Sequence, residues 1–166
     1  ELASIDIKNE IKDLKEILGL AKQAEYQAID AKAERLLDYL DELYSKDNEM
    51  KAIIFTEFVE TQNYLRLFLH NKGYSISILN GSMDMEERDR ILLEFKEDNN
   101  ILISTDTGGE GLNLQFANIV INYDLPWNPM KIEQRIGRVD RIGQDKDVLV
   151  YNFINIDTVE NRVRSI

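Results

Sequence analysis

The sequence predicts an α/β fold, a parallel sheet with helices on both faces, preceded by a helical N-terminal segment. Three observations carry that expectation. Short apolar runs such as Ala52-Ile53-Ile54-Phe55 and Ile119-Val120-Ile121 have the character of strands buried on both faces. Between them lie longer stretches whose apolar residues recur at the helical period. The composition, 43% hydrophobic and 31% charged over 166 residues, suits a globular chain with a full core. In alternating strand–helix folds of this kind, ligands sit at the carboxyl ends of the strands.

Residues 1–48 read as a helical lead-in. Ile7, Ile11, Leu14 and Leu18 recur at helical spacing, over a stretch too short for several coiled-coil heptads. Gly19 is expected to bend or interrupt this helix, and Asp30 to cap a second one carrying Leu36, Leu37, Leu40 and Leu43. The sheet domain then occupies 49–166. After the strand at 52–55 a helix runs to about Asn71, with Tyr64, Leu65, Phe68 and Leu69 as its inner face. Residues 76–79 form the next strand. Asp84 with Glu87 three residues on makes a capping box, opening a helix whose Ile91, Leu92 and Phe95 face inward. Runs at 101–103, 119–121 and 148–153 supply the remaining strands. Asn128-Pro129 begins another helix, Asn as the cap and Pro in the first turn, where its missing N–H is not needed. Trp127 is expected to pack beneath that helix. Asp157 with Glu160 resembles a further capping box, and Val159, Val163 and Ile166 begin an apolar face that then stops, as expected of an excised fragment.

The chemistry concentrates in Gln134-Arg135-Ile136-Gly137-Arg138-Val139-Asp140-Arg141-Ile142-Gly143-Gln144. On a helix Gln134, Arg138 and Arg141 share one stripe. Two guanidiniums side by side favour an anion close by, and Arg is suited to gripping phosphate oxygens. Gly137 inside such a helix costs about 1 kcal/mol relative to Ala, which points to a close approach there; Gly143 supplies the helix stop. The alternative is ordinary surface pairing with Glu133 and Asp140, which counts for little. Three further loops follow strands. The loop from Thr56 to Phe58 comes first. Next, Gly81-Ser82 offers amide groups and a hydroxyl just before a helix, either a cradle for a phosphate oxygen or a Ser-capped turn. In the loop from Ser104 to Gly111, Thr105 has a hydroxyl for a strand phosphate, and Gly108-Gly109 permits a tight turn without the dinucleotide-binding spacing. Glu110 and Asn113 either reach a ribose hydroxyl, meet another lobe, or hold the loop.

Several functions are excluded or weakened. With no cysteine there are no disulfides or thiolate metal sites. The single histidine, His70, makes a zinc or triad-type site improbable and is expected at the exposed end of a helix; no metal site is expected. No apolar run is long enough to cross a bilayer, so no membrane partner is expected. The net charge of −11 argues against a self-sufficient nucleic-acid binder, although residues 131–141 are locally basic. A Gly-x-x-x-x-Gly-Lys-Ser/Thr loop is absent.

The 134–144 block resembles the last motif of superfamily-two helicases and translocases, in particular the Swi/Snf-like branch. There a Gln, two arginines and a trailing Arg-Ile-Gly-Gln occur in this order. Ser104-Thr105-Asp106-Thr107-Gly108-Gly109-Glu110-Gly111-Leu112-Asn113-Leu114 looks like the family's preceding motif, and Asp124-Leu125-Pro126-Trp127-Asn128-Pro129 like its Asp-x-x-Trp-Asn-Pro. Ile54-Phe55-Thr56-Glu57-Phe58 and Leu79-Asn80-Gly81-Ser82-Met83 match more weakly. The resemblance covers roughly residues 32 to 164. Gly109-Glu110-Gly111 and Glu133-Gln134-Arg135-Ile136-Gly137-Arg138 are similar to a bacterial branch that includes an RNA-polymerase-associated member.

The resemblance implies a RecA-like C-terminal lobe, the second of two, in a double-stranded DNA translocase. ATP with Mg2+ is then bound mainly by the N-terminal RecA-like lobe of the same protein. Arg138 and Arg141 act as arginine fingers and Gln134 couples nucleotide state to lobe closure. Glu110, Gly111 and Asn113 lie on the nucleotide side, and Thr56, Gly81, Ser82 and Thr105 on the DNA backbone. The fragment alone is expected to be inactive. The N-terminal helices offer a surface for a protein partner. The implied location is cytoplasmic and nucleoid-associated in a bacterium, nuclear in a eukaryote. Two other readings stay open: the lobe of a strand-separating RNA or DNA helicase, and a non-catalytic docking module.

Overall fold

The structure, a computed structural model, describes residues 2–144 and 146–154, the side chains of 2–10 and 21–30 excepted. The chain divides into two compact units, 1–38 and 39–166. Helix α1 (Leu2–Lys46) supplies the first up to Asp38, and its remaining residues belong to the second. Contrary to the expected bend and second cap, α1 runs unbroken past Gly19 and Asp30. One glycine costs a helix only about 1 kcal/mol, and the Lys, Glu, Ala and Leu residues around it are strong helix formers. Ile11, Leu14, Ile17, Leu18 and Leu20 are exposed. Among the described residues no helix is long and apolar enough to cross a membrane.

The second unit is built on five parallel strands: β1 (Ala52–Thr56), β2 (Ile76–Leu79), β3 (Ile101–Thr105), β4 (Ile119–Asn122) and β5 (Leu149–Asn152). Their order is β2-β3-β1-β4-β5. Every residue of β1, β3 and β4 is buried, which explains why their sequences are near-continuous apolar runs. The connection from β1 to β2 crosses the sheet one way and each later connection crosses it the other way. Right-handed crossovers therefore put α2 (Val59–Asn71) on one face and α3 (Met85–Glu97) with α4 (Pro129–Ile136) on the opposite one. Ile53, Phe55, Leu102 and Val120 meet Ile91, Phe95, Leu114 and Val139 in one cluster. Alternate strand residues Ile54, Ile103 and Ile121 are equally buried.

Within the second unit the last turns of α1 are tied to the sheet. Leu40 and Leu43 are buried, the Tyr39 and Tyr151 rings lie 4.2 Å apart, and the Tyr44 hydroxyl donates to the Asn100 carbonyl at 2.9 Å. The expected capping box is present: Asp84 Oδ1 accepts from Glu87 N at 2.9 Å and Glu87 Oε2 from Asp84 N at 3.4 Å. Asn128 Oδ1 accepts from Met130 N at 3.0 Å, with Pro129 opening α4. His70 lies exposed in the last turn of α2. The capping box expected at Asp157 and Glu160 lies outside the described residues.

Candidate functional site

Because all five strands are parallel, β1 to β4 end on one edge and deliver their loops together. The loops after β2 and β3 meet backbone to backbone. A Cβ on Gly108 would stand 2.4 Å from the Leu79 carbonyl oxygen and 2.6 Å from Asn80 Cα, and one on Gly81 would stand 2.6 Å from Thr107 Oγ1. These glycines are thus required by the approach of one loop to the other. Gln62, fully buried in α2, clamps the same region: Nε2 donates to the carbonyls of Leu79 at 3.0 Å and Ile103 at 2.8 Å. Asn80 Oδ1 accepts from Ser82 N at 3.1 Å and Ser82 Oγ at 2.6 Å. Gly81 and Ser82 themselves are exposed.

The two threonines at strand ends are buried and occupied. The Thr56 hydroxyl donates to the Asp124 carboxylate and accepts from Phe58 N at 3.3 Å. Thr105 Oγ1 accepts from Gly108 N at 3.2 Å. A phosphate contact from the Thr56 hydroxyl requires it to give up Asp124, whereas Thr105 Oγ1 can accept from Gly108 N and donate to a phosphate at once.

The arginine-bearing segment departs from the helical stripe expected of it. Helix α4 ends at Ile136, with Gly137 as its C-cap rather than an interior residue. Arg138 and Arg141 lie on the turns beyond, joined by bonds such as Val139 N to the Ile136 carbonyl at 2.9 Å. Gly143 (φ +100°) therefore shapes a later turn and does not stop this helix. Gln144 fixes that turn, its Nε2 donating to the carbonyls of Gln115 at 2.8 Å, Ala117 at 3.0 Å and Val139 at 3.2 Å. Trp127, expected beneath α4, is 71% exposed. The space under the helix belongs to Arg135, whose guanidinium lies 5.3 Å from the Phe55 ring centroid.

Arg138 is half-buried, its Nη1 donates to the Gly109 carbonyl, and its Nε is buried without a hydrogen-bond partner. Burial lowers the pKa of this guanidinium from its ordinary value, opposed by the charges of Glu110 and Asp106 and reinforced by those of Arg141 and Arg135. Arg138, Arg141 and Glu110 therefore share one electrostatic neighbourhood. Arg141 is exposed, its Nε donating to the Gly137 carbonyl at 2.8 Å, and Gln134 is exposed on α4. Gly111 (φ +77°) needs glycine's freedom in the left-handed region. Asn113 bonds Gln115, which reaches the Ile142 carbonyl at 3.1 Å.

Sequence reasoning missed the centre of this arrangement. Arg135 is 1% exposed, and its Nε donates to Asp106 Oδ1 at 2.7 Å. Its Nη1 donates to Asn122 Oδ1 and to the Asp124 carbonyl, both at 2.9 Å. Lys131 bridges Asp106 at 3.3 Å and Glu57 at 3.4 Å. Burial alone raises the Asp106 carboxyl, but the bonds and charges of Arg135 and Lys131 outweigh it and hold the group below its ordinary value. The same Asp106 contact raises the Lys131 pKa. A signal was available: Arg135 falls at helical spacing between Ile132 and Val139, on the inward face, where a charge demands a partner.

A parallel sheet of this order, with arginines poised over glycine-rich strand-end loops, defines a RecA-like helicase lobe. The family model described as the helicase conserved C-terminal domain matches residues 31–143. An uncharacterized ATP-dependent helicase of Bacillus subtilis, YqhH, is 49% identical over 113 residues, 68% of this chain and 20% of that protein. Helicase SWR1 of Saccharomyces cerevisiae is 36% identical over 135 residues, 80% of this chain and 9% of that protein. Among solved structures, the C-terminal part of the Fun30 ATPase domain superposes with a TM-score of 0.70 at 31% identity, covering 77% of this chain and 43% of that one. The chain belongs to the helicase conserved C-terminal domain family, as a RecA-like C-terminal lobe of the Swi/Snf-like kind. It spans a small part of the curated relatives it matches.

Proposed function

We propose that this lobe is the second motor domain of an ATP-dependent double-stranded DNA translocase. The single observation that carries the reading is Arg138, lodged half-buried against Gly109 with its Nε donor buried and unpartnered beside Arg141 and Glu110. A guanidinium held this way is prepared for an anion, and charge developing on a γ-phosphate is such an anion. In this reading ATP lies between this lobe and an N-terminal RecA-like lobe, which supplies the contacts to Mg2+ and to the β- and γ-phosphates. Glu110, Gly111 and Asn113 face the nucleotide side, and Gln134 senses lobe closure. The exposed Gly81-Ser82 turn meets one strand's phosphates; Thr56 joins it by giving up its bond to Asp124, and Thr105 by donating its hydroxyl while still accepting from Gly108 N. Such contacts position the protein without reading sequence. The motor lobe begins within α1 rather than at residue 49, because Tyr39 and Tyr44 pack and bond with the sheet, and the part of α1 before Tyr39 serves as the connecting segment.

The test is ATP hydrolysis by the intact parent protein with no nucleic acid, duplex DNA, single-stranded DNA and RNA in parallel. Stimulation by duplex DNA is expected, with no turnover by residues 1–166 alone. Stimulation confined to single strands or RNA would make it a strand-separating helicase. No hydrolysis under any condition would leave a docking module.

A further inference from the structure

We propose that Arg135 is a positioning residue that couples the nucleic-acid loops to the arginine fingers, an inference that rests on the function proposed above. The geometry joins the two ends. On the nucleic-acid side, the Thr56 hydroxyl donates to the Asp124 carboxylate, and the carbonyl of the same Asp124 accepts from Arg135. Asp106, which directly follows Thr105, accepts from Arg135 Nε. The guanidinium thus spans the ends of β3 and β4 across Phe55 of β1.

On the nucleotide side, the main-chain carbonyl of Arg135 accepts from Arg138 N at 3.3 Å, and Arg138 Nη1 returns to Gly109 in the loop that Thr105 begins. That loop and the finger segment are therefore pinned twice, through Asp106–Arg135 and Gly109–Arg138. When a phosphate draws the Thr56 hydroxyl from the Asp124 carboxylate, Asp124 shifts against this fork. A planar fork with donors in fixed, divergent directions transmits that shift to Arg138. A lysine keeps the charge but presents a compact ammonium on a flexible stem, which cannot hold acceptors on both strand ends.

The experiment uses the intact parent protein carrying Arg135→Lys, with hydrolysis rates measured without nucleic acid and at saturating duplex DNA. The ATP KM and the thermal unfolding midpoint are measured alongside. The ratio of stimulated to unstimulated rate is expected to fall about tenfold or more, within the range of allosteric couplings, while the ATP KM moves little. Lys131→Met is the second variant; its side chain is 44% exposed, and it tethers Asp106 from outside the core. It should lower the same ratio by about threefold without unfolding the domain. Equal loss of both rates in the two variants would reduce Arg135 to a support of the fold, and an unchanged ratio would remove the coupling altogether. Either result in a wild type that DNA stimulates leaves the motor-lobe reading intact. A wild type stimulated by no nucleic acid sinks both.

Discussion

Replacing Gly108 by alanine tests how tightly the strand-end loops are packed. The new Cβ would meet the Leu79 carbonyl oxygen at 2.4 Å, Asn80 Cα at 2.6 Å and Asn80 N at 2.7 Å. Comfortable contact begins near 3.5 Å, so the loops after β2 and β3 must part by roughly 1 Å. None of these atoms belongs to a side chain that can rotate away. The Leu79 carbonyl is further held by Gln62 at 3.0 Å, so the movement strains that clamp as well. The cost is about 2–3 kcal/mol, the upper part of the range for overpacking. For a chain of this length that lowers the unfolding midpoint by about 4–12 °C. Calorimetry on the 166-residue chain measures it, with Gly81→Ala and Gly111→Ala alongside. At Gly81 the Thr107 Oγ1 at 2.6 Å can rotate away and only Thr107 Cβ, at 2.9 Å, forces the loops apart, so the required displacement and the loss are smaller. At Gly111 no atom lies within 4 Å and the loss is the backbone strain of φ +77°, about 1 kcal/mol. A Gly108→Ala midpoint indistinguishable from wild type, or a larger drop at Gly111, would refute the loop-packing argument.

In the intact parent, Arg141→Ala should cut hydrolysis by about 10³-fold or more with an unchanged circular dichroism spectrum, because Arg141 is exposed and the finger role is electrostatic. A loss below about tenfold would return the residue to surface pairing. Asp106→Asn should destabilise the domain at neutral pH by about 2–3 kcal/mol, since the carboxylate charge is lost, one of the two oxygens that accept from Arg135 and Lys131 becomes an N–H donor, and the side chain is only 22% exposed. The folded pKa of Asp106 is depressed, so its contribution is present above the unfolded value near 3.9 and is lost as pH falls through the folded one. Urea midpoints of wild type and variant should therefore differ by a constant amount above about pH 5 and converge at lower pH. A difference that persists undiminished to pH 3 would contradict the ion-pair account.

The strands were legible because each carries its burial in its composition: β1, β3 and β4 are apolar runs with no outward face to disguise them. Local chemistry also declared itself at the Asp84–Glu87 capping box and the Asn128-Pro129 helix start, where partners lie within three residues. Local reasoning failed where a long-range contact decided. The helical stripe assigned to Gln134, Arg138 and Arg141 assumed that α4 continues, yet it ends at Ile136. Trp127 gave no sign that its expected place was taken by Arg135.

By itself, then, the sequence determined the α/β class, the order of strands and helices, and the loops in which the chemistry lies. Those properties follow from periodicity and short-range bonding, which adjacent residues encode. The tertiary structure alone decided which charges are buried and with whom. The partners of Arg135 stand 29 residues away at Asp106 and 13 away at Asn122, and only the parallel register of β3, β1 and β4 brings them to one point. A buried charge takes its meaning from its partner, and the partner is set by topology.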